Sequence, residues 1–380
     1  MSDRPLRIAV DATTWAPGRT GVGLYTERLL TAWRDLGVGD ELILFSNKFQ
    51  SEPAQSGLRV HGPNFPVRAV WLQTAFPLQL ARFRPDVAFY PNYLAPLLPM
   101  PGVPAVLTVH DLAVFLYPET FTFKKRVLQR AALPYLVRRA AAIVTPSEST
   151  RRDLLRLLGP RPERVVATPL AAPADFVKRP SPDAIAKHSK VLQLPERYVL
   201  AVGTLEPRKN QVRLLRAFEQ LADRFPDVQL VVAGGKGWRD DEILAALGNT
   251  PIKNRIRSVG YVEPEALKVL YSQALLLGYP SLYEGFGLPV AEAMAMGTPV
   301  LTSRGSSLDE VAAGAALAVD PLNQGEITAA LARLLEDAEL RKELSEKGLK
   351  RSAELSWRRT AELTRAVFLR VRARQRPDGQ

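Results

Sequence analysis

Short apolar runs typical of β-strands alternate with helical patterns along almost the whole chain. The first series begins with LRIAVDA and ends with VVATPLA, and a second begins with YVLAVG and ends with AALAVD. Strands that alternate with helices favour parallel, doubly wound sheets. At 380 residues the chain is too long for one ordinary core and long enough for two domains. We therefore predict an α/β protein of two Rossmann-like domains with a deep cleft between them.

A polar, proline-containing segment separates the two series. We predict a first domain over residues 1–175, a linker over 176–195 and a second domain over 196–357. The last helical pattern lies over 358–380. Ligands of open α/β sheets bind at the carboxyl ends of the strands, so the strand-to-helix turns are the first places to search for a site.

The composition excludes several kinds of site. The chain has no cysteine, which rules out disulfides, thiolate metal ligands and a thiol nucleophile. Its three histidines lie far apart in the sequence, which argues against a histidine zinc site. The first residues lack the apolar stretch of a secretory signal, and the uncharged segment 87–109 carries five prolines, which oppose a spanning helix. We expect a cytoplasmic protein.

Positive charge is concentrated in one part of the first half. The net charge of the chain is +12, and residues 121–164 hold eleven basic and three acidic residues, a net charge of +8. Apolar residues recur at helical spacing within a predicted helix over 122–139: Val127, Leu128, Ala131, Tyr135 and Leu136. Two interpretations stay open, a basic helix that rests on an anionic membrane face and the solvated face of an ordinary helix.

Familiar phosphate and nucleophile motifs are missing. The chain contains neither GxGxxG nor GxxxxGK[ST], and no GxSxG. Hydride transfer on a dinucleotide, P-loop hydrolysis and serine hydrolysis all lose support.

The segment from Pro280 to Val300 carries the strongest signal. A strand ends at Pro280, glycines follow at 285 and 287, and a helix begins near Leu288. Backbone N–H groups at such a helix start suit a phosphate or a sugar hydroxyl. Glu284 and Glu292 lie on either side of this turn, where Glu292 could accept hydrogen bonds from a ribose diol. The alternative is a glycine turn with a capping acid and a surface glutamate.

Three further strand ends carry candidate residues. Arg208 and Lys209 precede a helix, where cations are unfavourable for stability, so their placement favours a phosphate ligand. The segment Arg19–Leu30 has two glycines that permit close approach of a ligand, or that form only a tight turn. His110 and Asp111 end another strand, where they contribute to a site or only cap the structure.

These segments together resemble the retaining glycosyltransferase family 4, which carries an E-x7-E signature. The resemblance covers nearly the whole chain and rests on RTGVGLYT, HDL, VTPSEST, GTLEPRKN, EGFGLPVAEAMAMGTPVLTS and the trailing SSLDEV…AALAVDP. It implies a GT-B fold, with the donor held mainly by the C-terminal domain, the acceptor mainly by the N-terminal one, and a last helix that returns to the first domain. The variant GTLEPRKN looks like that of mannosyltransferases of surface polysaccharides.

The resemblance also implies roles for individual residues. Arg208 and Lys209 would hold the donor diphosphate, Glu292 the ribose, and Glu284 the transferred sugar, while His110 would contact the sugar near the reacting carbon. Thr204 stands where many relatives have an arginine, so phosphate charge would rest more on the Arg208–Lys209 pair. The other positions implied to contact the donor are Gly21, Val22, Gly23, Gly203, Gly234, Tyr261, Val262, Gly285, Phe286, Gly287 and Leu288.

The expected activity is the retaining transfer of a hexose from a nucleotide-sugar, GDP-mannose or a UDP-sugar, to a glycan or polyprenyl-linked acceptor. No cofactor is implied, and no DxD-type metal motif lies in the candidate site. One alternative is another GT-B enzyme such as a sugar-nucleotide epimerase, against which the E-x7-E block argues. A second is a nucleic-acid-binding protein, suggested by the basic charge, but such a protein needs stacking aromatic residues among its cations and the basic helix is mostly aliphatic. We expect no nucleic-acid partner.

Overall fold

A computed structural model describes residues 4–15, 21–48, 60–62, 64–98 and 100–375. The strands are β1 (Arg7–Asp11), β2 (Glu41–Phe45), β3 (Val60–His61), β4 (Val87–Tyr90), β5 (Ala105–Thr108), β6 (Ala142–Thr145), β7 (Val165–Ala167), β8 (Tyr198–Val202), β9 (Gln229–Ala233), β10 (Ile256–Gly260), β11 (Leu276–Tyr279), β12 (Val300–Ser303) and β13 (Leu317–Val319).

The helices are α1 (Val22–Arg34), α2 (Arg68–Gln73), α3 (Ala75–Phe83), α4 (Ala113–Leu116), α5 (Phe123–Arg139), α6 (Glu148–Leu158), α7 (Pro182–Leu192), α8 (Gln211–Leu221), α9 (Asp241–Asn249), α10 (Pro264–Gln273), α11 (Leu288–Ala295), α12 (Ser307–Ala312), α13 (Gln324–Glu336), α14 (Ala338–Ala353) and α15 (Trp357–Arg374). None of the helices in these described ranges is long and apolar enough to span a bilayer.

The chain divides into two compact units. Unit 1 comprises Met1–Leu112, Val127–Pro169 and Trp357–Gln380, and unit 2 comprises Ala113–Arg126 and Leu170–Ser356. Each unit is built around one parallel sheet with helices between its strands. The predicted fold class, two Rossmann-like doubly wound domains, is confirmed.

Unit 1 contains a seven-stranded sheet in the order β3-β2-β1-β4-β5-β6-β7. Its ladders are all parallel, and β1 pairs with both β2 and β4, so the strand order reverses there. Helix α15 packs on α1 within this unit, where Phe368 lies 5.0 Å from the ring of Trp33. Arg365 of the same helix donates hydrogen bonds of 2.6 and 3.2 Å to the buried carboxylate of Asp40.

Unit 2 contains a six-stranded parallel sheet in the order β10-β9-β8-β11-β12-β13. Helices α8 and α13 pack together on it and bury Phe218 and Leu331 completely. The order reverses between β8 and β11, which pair directly. In a doubly wound sheet this reversal opens a crevice at the carboxyl ends of the two strands.

The domain boundaries differ from the predicted ones in two places. The predicted linker 176–195 holds helix α7, which belongs to unit 2 and packs against α10. Ser181 caps this helix by accepting a hydrogen bond from the backbone of Ala184, and Pro182 follows at the first helical position. The polar, proline-containing composition thus marks a helix start instead of a linker. In addition, residues 113–126 belong to unit 2 although they precede the predicted boundary by fifty residues or more.

Residues 68–83 form two helices, α2 and α3, that meet at Thr74. The backbone of Thr74 leaves the helical region, with φ −120° and ψ −72°. Pro77 lies in the first turn of α3, and its ring would clash with the carbonyl of Gln73 in a continuous helix. The interruption therefore follows from the proline.

The apolar side chains of α5 face differently from the predicted stripe. Of the five residues in that stripe only Leu136 is buried, and it packs with Leu133 and Val137. Val127 and Leu128 are 51% and 62% exposed. The helix therefore presents apolar side chains to solvent beside its cations.

Candidate functional site

Two loops of unit 2 meet at the carboxyl ends of β8 and β11. Residues 203–210 follow β8, and residues 280–287 follow β11. The Asn210 side chain joins these loops because its amide donates 2.8 Å hydrogen bonds to the carbonyls of Pro280 and Pro321. The backbone N–H of Leu282 and the hydroxyl of Ser281 both donate to the Arg208 carbonyl. The reversal of strand order thus brings the two predicted motifs into direct contact.

Arg208 and Lys209 lie in a 3-10 turn, Pro207–Lys209, immediately before α8. Asn210 ends this turn and begins α8 with a left-handed backbone, φ 59°, a conformation that asparagine tolerates better than most residues. The sharp turn directs both cationic side chains toward the loop after β11.

A buried ion network connects the two loops. Arg208 Nη1 donates to Glu284 Oε2 at 2.8 Å and to the Tyr283 carbonyl at 2.6 Å, and its Nη2 donates to Glu206 Oε1 at 2.6 Å. Lys209 Nζ donates to Glu284 Oε1 at 2.7 Å. Since buried charges are costly unless paired, the four groups stabilise one another.

Glu284 is the centre of this network. Its Oε1 also accepts hydrogen bonds from the hydroxyls of Tyr279, at 2.9 Å, and Ser281, at 2.7 Å. Burial raises the pKa of the Glu284 carboxyl, but Arg208 and Lys209 outweigh burial and lower that pKa to about 2. Burial and the nearby Glu284 raise the pKa of Tyr279 well above 10, so its phenol stays protonated and can donate. Glu284 is therefore an ionised acceptor at neutral pH and no proton donor.

Glu292 lies in the second turn of α11 and is buried. The Tyr271 hydroxyl donates to its Oε2 at 3.1 Å. The helix starts at Gly287, whose backbone is left-handed at φ 101° and whose missing side chain leaves room for Leu308, because a Cβ there would lie 2.3 Å from Leu308 Cδ2. A glycine at this position has no side chain to cap the first N–H groups of the helix.

Five other predicted positions follow the neighbouring strands β8, β9 and β10. A Cβ on Gly234 would lie 1.9 Å from the Gly203 carbonyl oxygen, so close backbone packing requires glycine there. Thr204 is exposed, and so is Tyr261, which follows β10. Since β10 lies two strands from β8, Tyr261 and Val262 are about 10 Å along the sheet edge from the ion network.

The remaining predicted residues belong to unit 1. Gly21 precedes α1 with φ 45°, and Val22 and Gly23 begin that helix. Arg19 and Thr20 of the same motif lie outside the described residues. The sequence therefore places the glycine turn at a helix start, as predicted.

His110 follows β5 and is partly buried against Tyr25, with ring centroids 4.8 Å apart. Its Nε2 lies 2.7 Å from the Pro91 carbonyl oxygen. A carbonyl only accepts, so Nε2 carries the proton and donates. Burial lowers the pKa of His110 below 6.5, against the opposing effects of Pro91 and Asp111. The imidazole is therefore neutral at pH 7.

Sequence reasoning missed three members of the network: Glu206, Tyr279 and Ser281. A signal was present for Glu206, an acid two residues before a cation pair at the same strand end. Tyr279 and Ser281 carried no such signal, because their hydroxyls gain significance only from the contact between two distant loops. Among the described residues, no three His, Asp or Glu side chains lie together as metal ligands would.

Two doubly wound units with a polar cluster at a strand reversal are the architecture expected of GT-B glycosyltransferases. Residues 20–171 match the family described as "Glycosyl transferase 4-like domain", and residues 184–351 match "Glycosyl transferases group 1". The chain belongs to family 4 of the glycosyltransferases. This confirms the resemblance at the level of family and fold, while the roles of Glu284 and Glu292 stay predictions.

Among named relatives, the chain is similar to the O-antigen chain mannosyltransferase B of Escherichia coli. The identity is 35% over 257 residues, which is 67% of each chain. It is also 27% identical over 360 residues to the serotype-specific mannosyltransferase WbdA of Escherichia coli, covering 90% of this chain but only 43% of WbdA.

Solved structures share the fold. Sucrose-phosphate synthase from Thermosynechococcus elongatus has a TM-score of 0.77 over 97% of this chain and 100% of that chain, at 22% identity. Anabaena HepE in complex with UDP and glucose has a TM-score of 0.75 over 96% of this chain and 99% of that chain, at 18% identity.

Proposed function

We propose that this chain is a retaining glycosyltransferase that transfers mannose from GDP-mannose to a hydroxyl of a glycan or polyprenyl-linked acceptor, in the cytoplasm, during synthesis of a cell-surface polysaccharide. The similarity to O-antigen mannosyltransferases supports the sugar and the pathway class. One observation carries the proposal for the site, namely the contact of the Lys209 ammonium with Glu284 at the β8–β11 strand reversal.

In the proposed reaction the bond between the sugar C1 and the diphosphate breaks, and a bond between C1 and the acceptor oxygen forms on the same face. The acceptor proton passes to the departing phosphate oxygen, so the products are the glycoside and a nucleoside diphosphate. Charge grows on the leaving diphosphate, where Lys209 and the N–H groups at the start of α11 would stabilise it.

Glu284 and His110 would act without transferring a proton. The pKa of about 2 keeps Glu284 ionised, so it suits accepting hydrogen bonds from hydroxyls of the transferred sugar. The lowered pKa of His110 keeps its imidazole neutral. Glu292, already bonded to Tyr271, would receive the ribose.

A donor screen tests this function directly. The purified chain is incubated with GDP-, UDP- and ADP-sugars, with and without a mannan or polyprenyl-linked acceptor, and release of nucleoside diphosphate is measured. We expect GDP-mannose to be turned over only with acceptor, in excess EDTA as well, and NMR of the product to show the donor's anomeric configuration. Turnover to an isomeric nucleotide-sugar without acceptor would identify an epimerase instead, and an inverted product would contradict retention.

We also propose that α5 contacts the anionic cytoplasmic face of a membrane. The helix carries six basic and no acidic residues. Phe123, Val127 and Leu128 are 72%, 51% and 62% exposed beside these cations. Apolar side chains next to cations suit the boundary between headgroups and acyl chains, which is where a polyprenyl-linked acceptor would lie.

A further inference from the structure

The two adjacent cations of the network are held in different ways. The Arg208 guanidinium lies between two carboxylates, those of Glu206 and Glu284, and also donates to the Tyr283 carbonyl. The Lys209 ammonium contacts one carboxylate, Glu284, and the Tyr279 hydroxyl at 2.7 Å. The sequence alone gives the two residues one shared role, whereas their contacts differ in kind.

Lys209 can leave Glu284 at small cost to the carboxylate. Without Lys209, Glu284 Oε1 keeps the hydroxyls of Ser281 and Tyr279, and Oε2 keeps Arg208. A charged acceptor that retains three donors stays satisfied. The Lys209–Glu284 contact is therefore exchangeable.

Arg208 cannot leave so easily. Its departure would remove the cation from Glu206, which is 1% exposed and whose Oε2 has no hydrogen-bond partner among the described residues. A buried carboxylate that loses its counter-ion is strongly destabilising. Glu206 thus holds Arg208 against Glu284 and prevents it from turning toward a ligand.

We infer that the two cations have separate tasks: Lys209 exchanges Glu284 for the donor diphosphate, while Arg208 is the permanent counter-ion of Glu284, with Glu206 as its positioning residue. This inference rests on the proposed function. Two carboxylates and two cations balance in this network, so a cation that turns to an incoming diphosphate leaves an existing partner. The contacts above leave Lys209 as the cation that can be taken. Exchange would also give Glu284 Oε1 room for a sugar hydroxyl.

The test separates phosphate binding from turnover. Calorimetry measures the affinity of each variant for GDP and guanosine, and for UDP and uridine, and the ratio within each pair reports the diphosphate contribution. The nucleotide pair with the larger ratio in the wild-type chain is then used to compare the variants. Lys209→Gln should lower that ratio about tenfold or more, as expected for one hydrogen bond between charged groups. Glu206→Gln should change that ratio less than about threefold yet lower kcat at least about tenfold, because the Glu284 carboxylate is misplaced.

Arg208→Gln is the matched partner of Lys209→Gln, because both remove one positive charge. Arg208→Gln removes the cation that lies between two buried carboxylates, and this loss is destabilising. The double variant Glu206→Gln/Arg208→Gln, which removes one of these carboxylates as well, is therefore also measured. In each of these two variants that folds, the diphosphate ratio should stay near the wild-type value while kcat falls.

Several results would overturn the inference. Equal losses of the diphosphate ratio in the Arg208 and Lys209 variants would show a shared role. A lower melting temperature of Glu206→Gln with normal kcat per folded molecule would make Glu206 merely structural. A wild-type chain that binds GDP and UDP no better than their nucleosides would refute this inference together with the proposed function. The diphosphate ratio could also fall in the Lys209 variant alone while the wild-type chain transfers no sugar. That result would support the inference and refute only the proposed transfer.

Discussion

At the scale of single residues, Glu284 links stability to pH. Its pKa falls from the ordinary 4.5 to about 2 on folding, so its contribution to stability is fully present above pH 4.5 and is lost as the pH falls toward 2. We expect Glu284→Gln to be less stable than wild type at pH 7 by roughly 3 kcal/mol, since one pKa unit corresponds to about 1.4 kcal/mol.

The measurement is the free energy of unfolding by denaturant as a function of pH. The difference between wild type and Glu284→Gln should shrink as the pH falls from 4.5 toward 2, because the wild-type carboxyl then becomes protonated and loses its ion pairs. Glu346→Gln is a suitable control, since Glu346 is an exposed acid on α14 of unit 2. A difference that stays constant over this pH range would contradict the assigned pKa.

The second prediction at this scale concerns catalysis. Lys209→Ala removes the cation proposed to stabilise the leaving diphosphate, so we expect kcat/KM to fall by about two orders of magnitude or more. Lys187→Ala, on the exposed surface of α7, is the matched control and should leave turnover unchanged. Near-normal turnover by a folded Lys209→Ala variant would remove Lys209 from the reaction.

At the scale of secondary-structure elements, positions could be predicted better than faces. Helix α6 begins at Glu148 and ends at Leu158 because Ser147 caps its start and left-handed Gly159 ends it, and both residue types mark helix ends in a sequence. For α5 the sequence gives the helix but the wrong buried face, since Leu133 and Val137, which lie outside the predicted stripe, are buried with Leu136. Helix α7 was predicted as a linker because its segment contains prolines and polar residues, and in the structure none of its side chains is buried.

The exposed face of α5 gives a prediction at the scale of one element. Anionic vesicles should bind the chain at low salt, since each Lys or Arg near such a surface contributes up to about 1 kcal/mol, and salt should weaken the binding. Replacing three exposed cations by Gln should reduce it strongly; Lys125 is spared because it lies 3.9 Å over the Trp238 ring. The three positions are Lys124, Arg130 and Arg138.

A control variant removes the same charge elsewhere. It replaces Lys187, Lys342 and Lys350, which are exposed on α7 and α14, and should bind vesicles like wild type. Cosedimentation with phosphatidylglycerol and phosphatidylcholine vesicles measures both variants. If wild type ignores anionic vesicles at low salt, or if both variants lose binding equally, α5 has only an ordinary solvated face.

At the scale of the whole molecule, the sequence predicts two doubly wound units but not which segments build each one. The alternation of strands and helices suffices for the fold class, because each such unit must cover a parallel sheet on both faces. It carries no information about residues 113–126, which follow β5, extend into the first turn of α5 and yet belong to unit 2. The contacts that hold this segment join residues more than a hundred positions apart.

Trp238 makes the principal contacts with that segment. Its indole Nε1 donates to the Thr120 carbonyl at 2.8 Å, and its ring stacks on Phe121 with centroids 5.8 Å apart. Lys125 lies over the same ring, and Tyr283, next to Glu284, belongs to the same apolar cluster. The segment is therefore attached to the loops that carry the candidate site.

Trp238→Ala should loosen residues 113–126 without unfolding the sheets. The lost ring is partly buried, so we expect the local opening free energy to fall by about 2 kcal/mol, which corresponds to roughly thirtyfold faster amide exchange. Hydrogen exchange followed by mass spectrometry should show this change in residues 113–126, while β1 and β4 of unit 1 stay protected. Trp238→Phe keeps an aromatic ring but loses the hydrogen bond to Thr120, so its rate of amide exchange in residues 113–126 should lie between those of wild type and Trp238→Ala. Unchanged exchange in the segment of Trp238→Ala would show that other contacts hold residues 113–126 on unit 2.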